Sequence, residues 1–175
     1  VKGDRIAAVE APGSLRGDNE IDAKGRVVAP GFIDVHTHDD TALIDNPTMA
    51  MKASQGVTTV IAGNCGVSLA PLVLGDRAAP PPLDLIGDGA AYRFPSFRAF
   101  VEELEAKPAA TNGALLVGHS TLRVAVMDRL DRTASAAEIA RMRDRVSEAL
   151  EAGAIGCSTG LYYEPASAAS TEEVI

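Results

Sequence analysis

An apolar, β-branched run that ends in two histidines constrains this chain more than any other feature. The segment reads Pro30-Gly31-Phe32-Ile33-Asp34-Val35-His36-Thr37-His38-Asp39-Asp40. Successive side chains of a strand point to opposite faces, so His36 and His38, two residues apart, project together. Only three histidines occur in the whole chain, and two of them stand in this motif. A solvated turn or a mutually bonded pair is the plain alternative. Because imidazole is the commonest metal-binding side chain, we read His36 and His38 as half of a metal site.

Three later runs share the strand texture: Gly56-Val57-Thr58-Thr59-Val60-Ile61-Ala62-Gly63, Ala114-Leu115-Leu116-Val117-Gly118, and the weaker Ala154-Ile155-Gly156-Cys157-Ser158-Thr159-Gly160. Such near-continuous apolar runs suit parallel strands buried on both faces. Helices alternate with them. Phe97, Phe100, Val101 and Leu104 recur at helical spacing after Pro95-Ser96. From Ser135 to Ala152, Ile139, Met142, Val146, Ala149 and Leu150 form a second stripe, with Ser135 and Glu138 as a capping box and Gly153 as the stop. Ser170 and Glu173 read as a further capping box.

Strands alternating with helices predict an α/β fold, the first half of a (β/α)8 barrel, over residues 30–175. A whole barrel takes about 250 residues, so the chain is expected to be an N-terminal piece, truncated after its fourth strand and inactive alone. Residues 1–29 read differently. Arg5-Ile6-Ala7-Ala8-Val9, Glu20-Ile21-Asp22 and Arg26-Val27-Val28 are short strand candidates separated by turn residues, which predicts part of a small β domain. Gly66 to Arg93, rich in proline and glycine, is expected to be an irregular wall or lid over the barrel mouth, or else disordered.

Cys65 stands at the end of the second strand, where neighbouring barrel strands lie about 5 Å apart. Its sulfur can therefore approach a metal held by His36 and His38, and thiolate is a strong zinc ligand. Cys157, inside an apolar run, is expected to be a core residue. His119 ends the third strand and faces the mouth, as a ligand, a substrate contact or a local hydrogen-bonding group. Asp39 and Asp40 are candidate acceptors for the imidazoles or solvated carboxylates. The lysines are Lys2, Lys24, Lys52 and Lys107, none at the end of a proposed strand, so no metal-bridging modified lysine is expected here.

A net charge of −8 argues against a nucleic-acid partner, which needs clustered Lys and Arg. No apolar run approaches membrane-spanning length, so no membrane partner is expected. Two cysteines are too few for a disulfide framework and suit a reducing compartment, so a cytoplasmic location is expected.

Val28-Ala29-Pro30-Gly31-Phe32-Ile33-Asp34-Val35-His36-Thr37-His38 resembles the first barrel strand of the amidohydrolase superfamily. Ser54-Gln55-Gly56-Val57-Thr58-Thr59-Val60, Gly63-Asn64-Cys65-Gly66-Val67-Ser68-Leu69-Ala70-Pro71, Val117-Gly118-His119-Ser120-Thr121-Leu122-Arg123 and Gly153 to Gly160 are similar to its N-acyl-D-amino-acid deacylase branch. That resemblance implies zinc, as one or two ions, held by His36, His38 and Cys65, with Cys65 in place of the bridging lysine of hydantoinases and dihydroorotases. It implies hydrolysis of the amide bond of a small-molecule N-acyl-D-amino acid to a carboxylate and a free D-amino acid. The family's two further histidines and its acid/base aspartate are expected beyond Ile175, so no catalytic residue is expected within the chain. Leu161-Tyr162-Tyr163-Glu164-Pro165 is similar to the stretch that supplies a substrate-contacting tyrosine, which makes Tyr162, Tyr163 and His119 substrate-binding candidates. A cyclic-amide hydrolase and a non-catalytic scaffold of the same fold are the competing readings.

Overall fold

The β-branched runs become strands of one parallel sheet in a computed structural model that describes residues 1–175. In chain order, β1 (Phe32–Asp34), α1 (Ala42–Asp45), α2 (Ala50–Ala53), β2 (Val57–Ala62), β3 (Leu72–Val73) and β4 (Arg93–Phe94) come first. They are followed by α3 (Phe97–Ala106), β5 (Asn112–Gly118), α4 (His119–Val126), α5 (Ala136–Glu151), β6 (Gly156–Ser158), α6 (Glu164–Ser167) and α7 (Thr171–Val174). The main sheet has the order β1-β2-β5-β6, every neighbouring pair parallel. Asp34 stands opposite Val60, Ile61 opposite Ala114, and Val117 opposite Cys157. Helical segments connect consecutive strands, as parallel pairing requires. No helix is long and apolar enough to cross a membrane.

Alternation along the strands decides what is buried. Val60, Ala62, Leu115 and Val117 join Leu43, Phe97, Phe100, Leu122, Met142 and Ala149 in one core. Each such Val, Leu or Phe contributes about 1.5–3 kcal/mol by leaving water. The opposite face is less covered than the apolar runs predict: Ile61 and Leu116 are half-buried, and Ile33 and Val35 are exposed. The helices start where their caps predict. Ser96 accepts from the Ala99 N–H ahead of α3, and Ser135 and Glu138 form a capping box at α5.

Three expectations are corrected by packing. Gly66 to Arg93 is neither disordered nor without regular structure: β3 and β4 pair antiparallel, and Val67, Leu69, Leu74, Leu83, Ile86 and Tyr92 are buried. The Tyr92 hydroxyl donates to the Leu83 carbonyl at 2.6 Å and ties the segment together. Cys157 is exposed rather than a core residue: it stands opposite Val117 of β5 and lines a cavity with Leu122 and Met142. Ser170 and Glu173 form no capping box, because the Glu173 N–H donates to the Ser170 carbonyl and its carboxylate pairs with Arg123.

Residues 1–30 cluster as a separate unit from residues 31–175. Within them the expected short strands do not form. One isolated bridge joins Lys2 and Arg5, and Ile6, Val9, Ile21, Val27 and Val28 are exposed. β-branched residues alone do not make a strand, which exists only through a ladder partner.

Arg123, on α4, is fully buried and organises the polar interior of the larger unit. It pairs with the buried Glu173 at 2.5 Å and donates to the carbonyls of Pro165, Leu130 and Arg132. His119 Nε2 reaches the same Glu173 oxygen at 2.9 Å. Burial pushes the Glu173 carboxyl up, but Arg123 and His119 outweigh it and hold the group below its ordinary range.

Two predictions follow from this packing. Arg123→Met strands a buried carboxylate and is expected to cost about 3–5 kcal/mol in urea or thermal unfolding of the full protein; adding Glu173→Leu should recover part of that loss. Gly63 has φ 82°, and a Cβ there would lie 2.1 Å from the Leu116 carbonyl oxygen. Gly63→Ala should therefore lower the melting temperature and the soluble yield, whereas Gly75→Ala, which shares a left-handed φ of 60° but has open space around its Cβ, should cost only the backbone strain and so lower both less.

Candidate metal centre

Parallel strands bring their carboxyl ends to one edge, and His36, His38 and Cys65 meet there. His36 and His38 lie just beyond β1, in a segment held beside β2 by the Thr37 N–H, which donates to the Ile61 carbonyl at 3.1 Å. Cys65 lies three residues beyond the end of β2. Their ligand atoms all fall within 4.8 Å of one another, and His36 Nε2 is 3.0 Å from Cys65 Sγ. The two imidazole rings stand edge to face with centroids 5.9 Å apart.

The donor set suits zinc. Bonds of about 2.0–2.1 Å to nitrogen and 2.3 Å to sulfur in a tetrahedral shell put neighbouring donors about 3.5 Å apart. The observed spacings bracket that value. Burial, reinforced by the neighbouring His36, holds His38 below the ordinary histidine range and so favours the neutral, ligating imidazole. His38 Nδ1 is buried without a hydrogen-bond partner. A soft thiolate with two imidazoles selects zinc over the oxygen-seeking cations.

Supporting side chains hold both halves of the cluster. Lys52, on α2, donates to Asp34 Oδ2 at 2.8 Å and pairs with Asp39 Oδ2 at 3.0 Å, so it ties down the chain on both sides of the histidine pair. Its hydrogen bond holds the Asp34 carboxyl below the usual range. Asp40 is 1% exposed and accepts from the backbone N–H groups of Gly63 and Leu69 at 3.2 and 3.3 Å. Burial raises its pKa to about 6 against the pull of those donors. Asn64 donates to the carbonyls of Thr37 and Ile61 at 3.3 and 2.8 Å. Asp39 and Asp40 thus bind a lysine and the backbone; neither is bonded to an imidazole.

Cys65 adopts φ 56°, in the left-handed region. For a residue with a Cβ this costs about 1–2 kcal/mol and persists only where surrounding contacts impose it. One such contact comes from the end of β6: a Cβ on Gly160 would lie 2.1 Å from the Cys65 carbonyl oxygen. Only glycine allows that approach.

The remaining candidates separate. His119 is not part of the three-residue cluster; it is nearly buried, bonded to Glu173, and lines a cavity of about 240 Å³ with Leu122, Met142, Val146 and Cys157. Tyr162 is 92% exposed, whereas Tyr163 is half-buried and its ring lies 3.0 Å from where a Gly160 Cβ would be. The sequence reading missed Lys52, Ser158 and Arg123 as organising residues. Each is an ordinary residue type, and only its three-dimensional neighbours mark it.

Comparison with known proteins places this geometry in context. The amidohydrolase family profile matches residues 19–174. A D-aminoacylase and an N-acyl-D-aspartate deacylase, both from Alcaligenes xylosoxydans xylosoxydans, are each 54% identical to the chain over all of its length; it spans 36% and 35% of theirs. The structure of an N-acyl-D-glutamate deacylase from Bordetella bronchiseptica, complexed with zinc and a phosphonate inhibitor that mimics the tetrahedral intermediate, is 45% identical. It superposes with a TM-score of 0.86 over 97% of this chain and 35% of that one. The profile match over most of the sequence, together with these relatives, shows that the chain belongs to the amidohydrolase family.

Proposed function

We propose that the protein hydrolyses the amide bond of N-acyl-D-amino acids with zinc, and that this chain supplies His36, His38 and Cys65 as ligands. The observation that carries this reading is the convergence of the three donors within 4.8 Å at the carboxyl ends of β1 and β2. The three relatives named above are deacylases of D-amino-acid derivatives, which supports the substrate class. On this reading residues 30–175 are the N-terminal half of a (β/α)8 barrel, and residues 1–29 are part of a small β domain.

When bound, zinc supplies Lewis acidity and lowers the pKa of water toward neutrality. The chain's own residues hold and orient. Burial favours the neutral form of His38, Lys52 anchors the histidine segment through Asp34 and Asp39, and Asp40 fixes the loop that carries Cys65. Tyr163, packed beside Gly160, the exposed Tyr162 and His119, held by Glu173, are the candidate substrate contacts. None of the four lysines ends a strand of the parallel sheet, and Cys65 stands with the two histidines, which disfavours a lysine-bridged cyclic-amide hydrolase.

The test is release of free amino acid from N-acetyl-D-methionine and N-acetyl-L-methionine by the full protein, with zinc content measured in parallel. D-selective release is expected. Cys65→Ala should lose bound zinc and lower the rate by more than the about 10- to 100-fold typical of losing a supporting residue. Hydrolysis of neither enantiomer by zinc-loaded protein would overturn the assignment.

A further inference from the structure

Cys65 is held by a residue from the far edge of the sheet. Ser158, the last residue of β6, accepts a hydrogen bond from the Gly66 N–H at 2.9 Å and donates its own hydroxyl to the Gly63 carbonyl at 2.5 Å. Gly63 and Gly66 flank Cys65, so one hydroxyl closes the turn on both sides of the thiol. Gly63, Cys65 and Gly66 all have positive φ, at 82°, 56° and 77°. The two glycines adopt positive φ without steric cost, but Cys65 carries a Cβ, for which the left-handed region is unfavourable, so the turn needs outside contacts to hold that residue there.

Ser158 is itself well placed for the task. Its backbone lies in register with Gly118 of β5, and the following Gly160 presses its backbone against the Cys65 carbonyl. The hydroxyl is half-buried, and both of its bonds go to the Cys65 turn.

We infer that Ser158 is a positioning residue for the metal centre, fixing the Cys65 thiol opposite His36 by clipping Gly63 to Gly66. The inference rests on the reading of Cys65 as a ligand. Without the hydroxyl, the Gly63 carbonyl and Gly66 N–H lose their partner and the turn is free to leave the left-handed region. Sγ then moves away from the imidazoles while the loop stays docked, because Val67 and Leu69 remain in the core and Asp40 and Asn64 keep their backbone partners.

The experiment compares wild type, Ser158→Ala, Ser158→Thr and Cys65→Ala of the full protein, each stripped of metal and titrated with Co2+ and Zn2+. The near-ultraviolet thiolate-to-cobalt band, metal affinity against a chelator and apoprotein melting are read together. Ser158→Ala should bind both ions about 10- to 100-fold more weakly with a shifted or weakened band. Its apoprotein should still melt cooperatively, and Ser158→Thr, which keeps the hydroxyl, should restore band and affinity. Wild-type affinity and band in Ser158→Ala would overturn the inference, as would equal impairment of the alanine and threonine variants. Failure of Ser158→Ala to fold would also overturn it, because the hydroxyl would then serve the fold rather than the ligand. If Cys65→Ala retains the wild-type band, the ligand reading falls and the inference with it; loss of the band there with an unaffected Ser158→Ala removes the inference alone.

Discussion

Parallel pairing is the constraint on which the site depends. Because β1, β2, β5 and β6 run in one direction, the loops that leave their carboxyl ends crowd together, and residues separated by up to 95 positions share hydrogen bonds. Antiparallel pairing of the same strands would send half of these loops to the opposite edge. Parallel pairing also forces a long crossover between consecutive strands, which is why α3 and α5 exist and why the core forms on the face they cover. The imidazoles follow β1 and the thiol follows the adjacent β2, so their spacing inherits the register of that one pair, whereas the hydrogen bonds from Ser158 to the thiol's turn inherit the register of β2 with β5 and of β5 with β6.

Close backbone approach is the second condition. The loop after β2 runs against the Leu116 backbone at Gly63 and against β6 at Gly160. Side chains at those two positions would push the Cys65 turn outward. The polar groups crowded there are satisfied in turn: Asp40 takes two N–H groups, Asn64 serves two carbonyls, and Ser158 both accepts and donates. Buried polar groups in such a network specify one arrangement, because any slip leaves several of them unpaired.

A separate polar knot stands around Arg123. Its guanidinium serves a carboxylate and three carbonyls drawn from α6, α7 and the segment before α5, so short terminal helices with little intrinsic stability are tied to α4. His119, adjacent to this knot, is held by Glu173 rather than by the cluster of donors. The choice of partner for His119 therefore depends on where the Glu173 carboxylate lies, and Glu173 is more than fifty residues away in sequence.

Local patterns made the strands, the caps of α3 and α5, and the two histidines legible, because each depends on residues a few positions apart: period two for His36 and His38, period 3.6 for Phe97, Phe100 and Leu104, and the three-residue reach from Ser135 to Glu138. Cys65 was legible as a neighbour of that pair because a parallel sheet places the ends of adjacent strands side by side. The burial of Gly66 to Arg93, the missing ladder in residues 1–30, the exposure of Cys157 and the diversion of Glu173 from its cap were not, since each turns on a partner distant in sequence. Residue order alone singled out His36, His38 and Cys65 as candidate donors and specified an α/β sheet to carry them. That Lys52, Asp40 and Ser158 bond to the segments around them follows from three-dimensional packing, because a hydrogen bond depends on the relative placement of two groups within a few tenths of an ångström, and no pattern within one strand encodes what the end of another strand will meet.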